Sequence, residues 1–581
     1  MSNDIFPAND ANFEGLDAGM EALVKDFKVP GVAVAAIRGD EVLLSKGYGL
    51  RNVESGLPVD SDTIFAIGSS SKAFTTMAMS VLVERGLLDW DRPLREYMPT
   101  FKLFDPLATE RMTPRDLVCH RSGLPRHDML WYNSPLSRWE IFDRLRYLEP
   151  SKDFRQTWQY QNLMFLTAGL LVESVSGLTW EEFTQKEIFD RIGMRRSNFS
   201  VEKSQESDNF ALPYVESEEL VKQIPFRNID TIGPAGSINS CLSDMTRWVR
   251  LHLHGKVGGE QVVSQAQLKE LHAPAMVMPE AFMGLENYKE ISQGSYALGW
   301  FVQYYRGCRL VHHGGAIDGF MAMISFMPEE QLGTVVLTNL GGNAAIWAAT
   351  LSLYDRLMGL SQLPWHDRWL EQTMKAKEAL KKGQEKGASK KVAGTQPSHA
   401  LSAYSGDFNH PGYGIFNVSM DNGQLKAAYN NRVYLLEHYH YDIFEAKAEE
   451  DVHEGGLPVY FHTDFSGNIS SLSAPLEPNV KDIIFERVAD QSMREKSFLQ
   501  QFVGQYDLDG KIAVVALKGE DTLAITVPSM PEMELVPYQG TEFKLKDMDI
   551  VRIEFILGED GTVSGLELSQ PGGAFSARKV A

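Results

Sequence analysis

The stretch Ile67-Gly68-Ser69-Ser70-Ser71-Lys72-Ala73-Phe74 sets a serine three residues ahead of a lysine at the start of an apolar run. Met77, Ala78, Val81 and Leu82 follow at the spacing of a buried helical face, so both side chains are expected on one side of a core helix, at its N-terminus. A serine hydroxyl is a poor nucleophile at neutral pH. A lysine in a dry pocket loses part of its preference for the ammonium form and can take the serine proton, and a helix N-terminus favours a developing oxyanion. The spacing alone decides little, because Ser200 to Lys203 and Ser576 to Lys579 share it in surroundings that suggest no site.

Upstream, Phe13, Leu16, Met20, Leu23, Val24 and Phe27 share one helical stripe, and Pro30 ends it. Val32 to Ile37 and Val42 to Ser45, joined by Arg38-Gly39-Asp40, read as a hairpin whose first strand is apolar on both faces. Downstream, Met112 to Val118 reads as a capped helix with proline in its first turn, running into the loop Cys119-His120-Arg121-Ser122-Gly123-Leu124-Pro125. His120 has no carboxylate at helical or strand spacing and is read as a structural histidine.

Trp158-Gln159-Tyr160-Gln161-Asn162 precedes a second buried helix that ends near Gly177. Tyr160 and Asn162, two apart, can both point into one cleft: a phenol relays a proton, and an amide holds a lysine and a substrate amide. Tyr429-Asn430-Asn431 repeats the pattern and is given no role. Residues 309 to 340 read as three strands, Arg309 to His313, Phe320 to Met327 and Gly333 to Asn339, with Gly314 and Gly315 placed to let a substrate approach the backbone. Residues 343 to 358 supply another helix.

The elements Ser69-x-x-Lys72, Tyr160-x-Asn162 and His313-x-Gly315, in that order, resemble those of the serine β-lactamase-like and penicillin-recognising hydrolase superfamily, particularly its class C-like branch. The likeness covers roughly residues 10 to 365 and includes Ser122 to Pro125 and Gly319-Phe320. His313 rather than His312 meets the spacing to Gly315, Gly319 and Phe320. The resemblance implies that Ser69 attacks a carbonyl, Lys72 and Tyr160 manage its proton, Asn162 orients, and the backbone N–H groups of Ser69 and Ala316, beside Gly315, form the oxyanion hole. β-Lactamases and carboxypeptidases of the family usually carry lysine where this chain has His313. A neutral imidazole there disfavours substrates anchored by a carboxylate.

At 581 residues the chain exceeds a single core. Its net charge of -21 argues against nucleic acid or an anionic membrane as partner. Met1 to Pro7 has neither a basic n-region nor an apolar h-region, and no apolar run reaches the ~20 residues of a bilayer span. The chain is therefore expected to be cytoplasmic, with a periplasmic or secreted form left open. Cys119, Cys241 and Cys308 lack metal-ligand spacing and read as reduced thiols. No cofactor and no metal are expected.

From Glu371 to about Ala400 the composition turns to Lys, Glu, Gly, Gln and Ser, as in a solvated linker that is partly helical at first. Beyond it, Tyr404-Ser405-Gly406-Asp407-Phe408 resembles Phe502-Val503-Gly504-Gln505-Tyr506, and Gly467 to Leu472 resembles Gly561 to Leu566, at nearly one offset a little under ~100 residues. Each unit has room for about eight short strands, enough for a small closed barrel, and they resemble the lipocalin-like modules of family members such as D-aminopeptidases. His438, His440 and Asp442 alternate on one strand, but no outside ligand completes a metal site.

The expected fold is α+β: a β-lactamase-like domain, with an antiparallel sheet flanked by helices plus an all-helical region, over residues 1–370, a linker over 371–400, and barrels over 401–490 and 491–581. The expected activity is a serine hydrolase working through an acyl-enzyme on a small peptide, amide or ester, first as a D-amino-acid-type peptidase or amidase. A carboxylesterase, a weak β-lactamase or DD-carboxypeptidase, and a silent ligand-binding protein remain alternatives. Assembly into a homo-oligomer is left open.

Overall fold

The computed structural model describes residues 11–217, 219–279, 288–388, 391–448, 456–546 and 548–580. Met1 to Pro7, and with them the reading of the N-terminus, lie outside the described residues. The chain divides into two compact units, Met1–Lys390 with Glu477–Lys481, and Lys391–Leu476 with Asp482–Ala581.

The first unit is built on a nine-stranded antiparallel sheet. From one edge to the other its strands are Met276–Val277, Ile291–Tyr296, Phe301–Tyr305, Cys308–Ile317, Phe320–Met327, Leu332–Thr338, Gly31–Arg38, Glu41–Asn52 and Leu57–Pro58. The Gly31 strand lies inside the sheet and is covered on both faces, which is why it is apolar on both. Val32, Val34 and Ala36 face the helices Leu16–Asp26 and Ala345–Leu357, in one core with Val336, Met323 and Tyr354. On the other face Val249, from the helix Leu242–His254, packs so closely that only glycine fits at Gly333.

A helical layer completes the unit. The helices Lys72–Glu84 and Leu163–Ser176 are buried almost throughout, as their near-continuous apolar sequences require. The helix Pro114–Val118 starts with a capping box from Thr113 and Asp116. Among the described residues no single helix is long and apolar enough to cross a membrane. Cys119, Cys241 and Cys308 are buried and unpaired.

One sequence expectation changes here. The strand expected to stop at His313 runs on to Ile317. Its neighbour Phe301–Tyr305 pairs only as far as His312, so the edge of His313–Ile317 is left without a strand partner on that side. The Lys-rich segment after residue 370 begins as the end of a 24-residue helix, Trp365–Ala388. Trp365 and Trp369 anchor its first turns in the core, and Glu371 with Lys375 and Glu378 with Lys382 pair at i,i+4 along its exposed side.

The second unit holds two closed eight-stranded antiparallel barrels, one running from Gly406–His410 to Ile483–Val488 and the other from Gly504–Leu508 to Gly573–Lys579. The repeat landmarks fall on equivalent places: Gly406 and Gly504 open the first strands, and Gly467 and Gly561 turn into the seventh, Ile469–Ala474 and Val563–Gln570. The alternation expected for His438, His440 and Asp442 is broken by a register shift between the two histidines. Each has its own partner: His438 Nε2 the carbonyl of Tyr441, His440 Nδ1 the N–H of Val392, and Asp442 the Ser398 and Tyr404 hydroxyls.

Candidate active site

Ser69 lies in a single 3-10 turn, Gly68–Ser71, that leads directly into the Lys72 helix. The turn is pressed against the unpaired edge of the Cys308–Ile317 strand. Ser70 Oγ donates to the His313 carbonyl at 3.1 Å, and Ser71 Oγ donates to the Gly68 carbonyl and accepts from Ile238 N. Glycines make this contact possible. A Cβ on Gly315 would stand 1.8 Å from Ile67 O and 3.0 Å from Ser69 N, and one on Gly68, at φ 50°, would stand 2.7 Å from Ala316 N. Gly315 is thus required by the chain's own turn, not by an approaching substrate, while Gly314 has only ordinary contacts around it. The packing sets the backbone nitrogens of Ser69 and Ala316 on either side of one crossing, with Ala316 exposed at its rim.

Lys72 is fully buried. Its Nζ lies 3.1 Å from Ser69 Oγ, 2.8 Å from Asn162 Oδ1 and 2.8 Å from the Ala235 carbonyl. The Tyr160 and Phe165 rings flank it, with centroids at 4.8 and 5.3 Å. Burial, and then the nearby Arg126 guanidinium, hold the amine well below the usual lysine range, against a smaller pull from Asp128. Two carbonyl oxygens take two N–H groups, which leaves the lone pair of a neutral amine for the Ser69 hydroxyl.

Tyr160 stands just ahead of the Leu163–Ser176 helix, partly open to solvent. Burial of its ring raises the phenol above the ordinary range, and the neighbouring Ser69 hydroxyl works the other way. Asn162 is the N-cap of that helix, yet its side chain does not cap it. Gln161 Oε1 accepts the Leu163 N–H instead, which frees the Asn162 amide for Lys72. His120, at φ 60°, accepts the Gln161 N–H on Nδ1 and packs against the Tyr160 ring, centroids 4.4 Å apart and planes tilted by 35°, so it fixes the segment that carries Tyr160 and Asn162.

His313 is buried on this side of its strand, with its ring centroid 6.3 Å from that of Tyr160. Its Nδ1–H donates to the Gly314 carbonyl, and Nε2 accepts from Tyr296 O–H at 2.9 Å. Burial and the nearness of Lys72 depress its pKa far below the ordinary histidine value, so the ring is neutral. His312 faces the other way, stacked on Phe301 and edge-on to Trp347.

Ser69, Lys72, Tyr160, Asn162, His313, Gly315 and Ala316 therefore converge. Sequence reasoning missed Ala235, Tyr296, Arg126 and Asp128. The first two arrive from distant elements, and the last two follow Ser122–Pro125 in a loop whose spacing signals nothing. Ser200 stays out of this group, its Oγ capping a short helix by accepting the Glu202 N–H, and Ser576 is exposed on a barrel strand.

Residues 16–354 match the family model described as Beta-lactamase, and residues 390–487 match a domain of unknown function, DUF3471. An unguisins hydrolase of Aspergillus campestris is 28% identical over 437 residues, covering 70% of this chain and 78% of its own length. One from Aspergillus violaceofuscus is 25% identical over 503 residues, covering 79% and 87%. Among solved structures, the octameric penicillin-binding protein homologue from Pyrococcus abyssi matches at TM-score 0.53 with 21% identity, covering 82% of this chain and 100% of that one, which is a likeness of fold. With more than half of its residues matched by that family's model, the chain belongs to the beta-lactamase family of hydrolases.

Proposed function

We propose that this chain is a serine hydrolase that cleaves amide bonds through an acyl-enzyme. The observation that carries the reading is the setting of Lys72, a buried amine with two carbonyl acceptors and the Ser69 hydroxyl as its third neighbour. Ser69 Oγ adds to the substrate carbonyl as its proton passes to Lys72. The oxyanion is met by the N–H groups of Ser69 and Ala316, donors of a kind whose single loss typically costs about 3 kcal/mol of barrier lowering. Collapse expels the amine, which takes the proton from Lys72 with the Tyr160 hydroxyl as relay. Water then adds to the acyl ester, gives its proton back along the same route, and frees Ser69.

The neutral His313, tied to Tyr296, supports substrates that do not end in a carboxylate at that subsite. The names of the two fungal relatives support a hydrolytic role and put unguisins among the substrates to try. The test is a fluorophosphonate probe with peptide mapping, followed by a panel of amino-acid amides of both hands, nitrophenyl esters, unguisins and a chromogenic lactam. Labelling at Ser69 with faster turnover of neutral amides than of matched carboxylates is expected. Labelling elsewhere, or preference for the lactam, overturns the reading.

A further inference from the structure

We infer that Asp128 is a positioning residue for hydrolysis: its carboxylate holds the Asn162 side-chain amide so that the amide oxygen faces Lys72. The inference rests on the serine hydrolase reading above.

Asp128 opens the 3-10 turn Asp128–Leu130, after His127 in a left-handed conformation at φ 46°. The His127 ring, buried, contacts the Glu149 carbonyl through Nε2 at 3.1 Å, which ties down the loop. Asp128 Oδ1 accepts from Asn162 Nδ2 at 3.0 Å and from Trp131 Nε1 at 2.7 Å, and Oδ2 accepts from Arg126 Nε at 2.5 Å. Arg126 is half-exposed, with its guanidinium 5.1 Å from the Tyr160 ring centroid.

An ionised carboxylate only accepts, so it can face only the NH2 end of the Asn162 amide. The opposite end, Oδ1, is then obliged to meet Lys72 Nζ. That matters for the lone pair. If the amide turned over, Asn162 would present N–H to Lys72 and compete with Ser69 for the lone pair that removes its proton. Among the described residues Asp128 makes no hydrogen bond to Ser69 or Lys72, so its hold on the geometry goes through Asn162, and on Lys72 it acts only by charge.

Charge supplies a second readout. The titratable or charged groups around Lys72 are Tyr160, His120, His313, Arg126 and Asp128. Arg126 disfavours the ammonium and Asp128 favours it.

The experiment compares wild type with Asp128→Ala, Asp128→Asn and Arg126→Gln, measuring the Ser69 labelling rate, kcat, KM and the pH profile, with Tm as a check on folding. Asp128→Ala is expected to lower the labelling rate and kcat about 10- to 100-fold with KM within about threefold. Asp128→Asn retains an oxygen for Asn162 and is expected to recover most of that loss, while its acid limb moves to lower pH. Arg126→Gln is expected to move the limb the other way. Ser69 labelled in Asp128→Ala at the wild-type rate overturns the inference. So does a loss in Asp128→Asn as large as in Asp128→Ala, which also covers an alanine variant that fails to fold. Absence of Ser69 labelling in wild type overturns the hydrolase reading first, and the inference with it.

Discussion

The two units bury different chemistry. Inside the catalytic unit lie Lys72, Asp116, Asp355, Asn339 and six histidines, at positions 120, 127, 252, 272, 312 and 313. Within the barrels the buried polar residues among those described are Ser471 and Ser473, and every described histidine is at least partly exposed. Burying a polar group costs free energy unless it is paired, and burying an ionisable one holds it neutral. A unit that carries so many such groups has its stability tied to pH and its core tied to reactivity, whereas a barrel filled by Phe502, Phe543 and Phe555 is tied to neither.

Acid separates the two units most sharply. Burial pushes His272 and His312 down to about 3, and lowers the other four. Such groups bind protons in the unfolded chain near pH 6.5 but not in the folded one, so their contribution is complete above that value and drains away as pH falls. A histidine held near 3 costs about 1.4 kcal/mol per pH unit below about 6.5, so His272 and His312 together oppose folding by about 4 kcal/mol at pH 5, and the other four act in the same direction. That is a large part of the margin of about 5–15 kcal/mol of a domain. All 10 tryptophans lie between Trp90 and Trp369, so their fluorescence reports the catalytic unit alone. Denaturant unfolding followed by tryptophan should shift steeply between pH 7 and pH 5, while the far-UV signal of the barrels moves little. Equal shifts would break the contrast.

The next effect is on turnover. Lys72→Ala should lose about 10³-fold or more in kcat, since proton removal and attack act as a unit. Lys579→Ala in a barrel, where Nζ donates to the Gln501 carbonyl, should leave kcat unchanged. Steady-state kinetics on whichever substrate the panel selects decides it.

Gly315→Ala tests the crossing of turn and strand. The added Cβ would stand 1.8 Å from a backbone oxygen, so the turn carrying Ser69 must move. A loss of about 2–3 kcal/mol of stability, as for other overpacked sites, is expected together with reduced Ser69 labelling. At Gly314→Ala the nearest atoms are Met323 Cε at 3.5 Å and Ala322 O at 3.6 Å, so well under about 1 kcal/mol is expected. Similar Tm values for the two variants would remove the structural reason for a glycine in the third motif.

What the sequence made legible was local. Ser69 and Lys72 lie one helical turn apart, Tyr160 and Asn162 precede an apolar helix, and the barrels announce themselves by repetition. The rest depends on distance along the chain. The continuation of the strand through Gly314 and Gly315 was hidden because glycine weakens the strand pattern. Residues 371–400 read as a partly helical linker because their exposed turns are Lys- and Glu-rich, and that the helix starts back at Trp365, with Trp365 and Trp369 in the core, went unread. Asp128 and Tyr296 meet the site through contacts 34 and 17 residues away, to Asn162 and His313, which no period encodes.

The smallest expected effect falls on Ser200, whose spacing to Lys203 repeats that of Ser69 to Lys72. The same two residue types do different work because of what surrounds them. Ser200 is the N-cap of the four-residue helix Val201–Ser204, accepting the Glu202 N–H at 3.3 Å, and Lys203 is solvated and paired with Glu206. A solvated lysine paired with a carboxylate lacks the dry pocket that surrounds Lys72. A long cap bond lies toward the weak end of the capping range, so Ser200→Ala should cost about 0.5 kcal/mol and leave kcat at the wild-type value. Calorimetry and kinetics on this variant beside Ser69→Ala make the comparison complete: one should change stability slightly and turnover not at all, the other turnover almost entirely. A substantial loss of turnover in Ser200→Ala would mean that the spacing, and not the burial of the lysine, carries the chemistry.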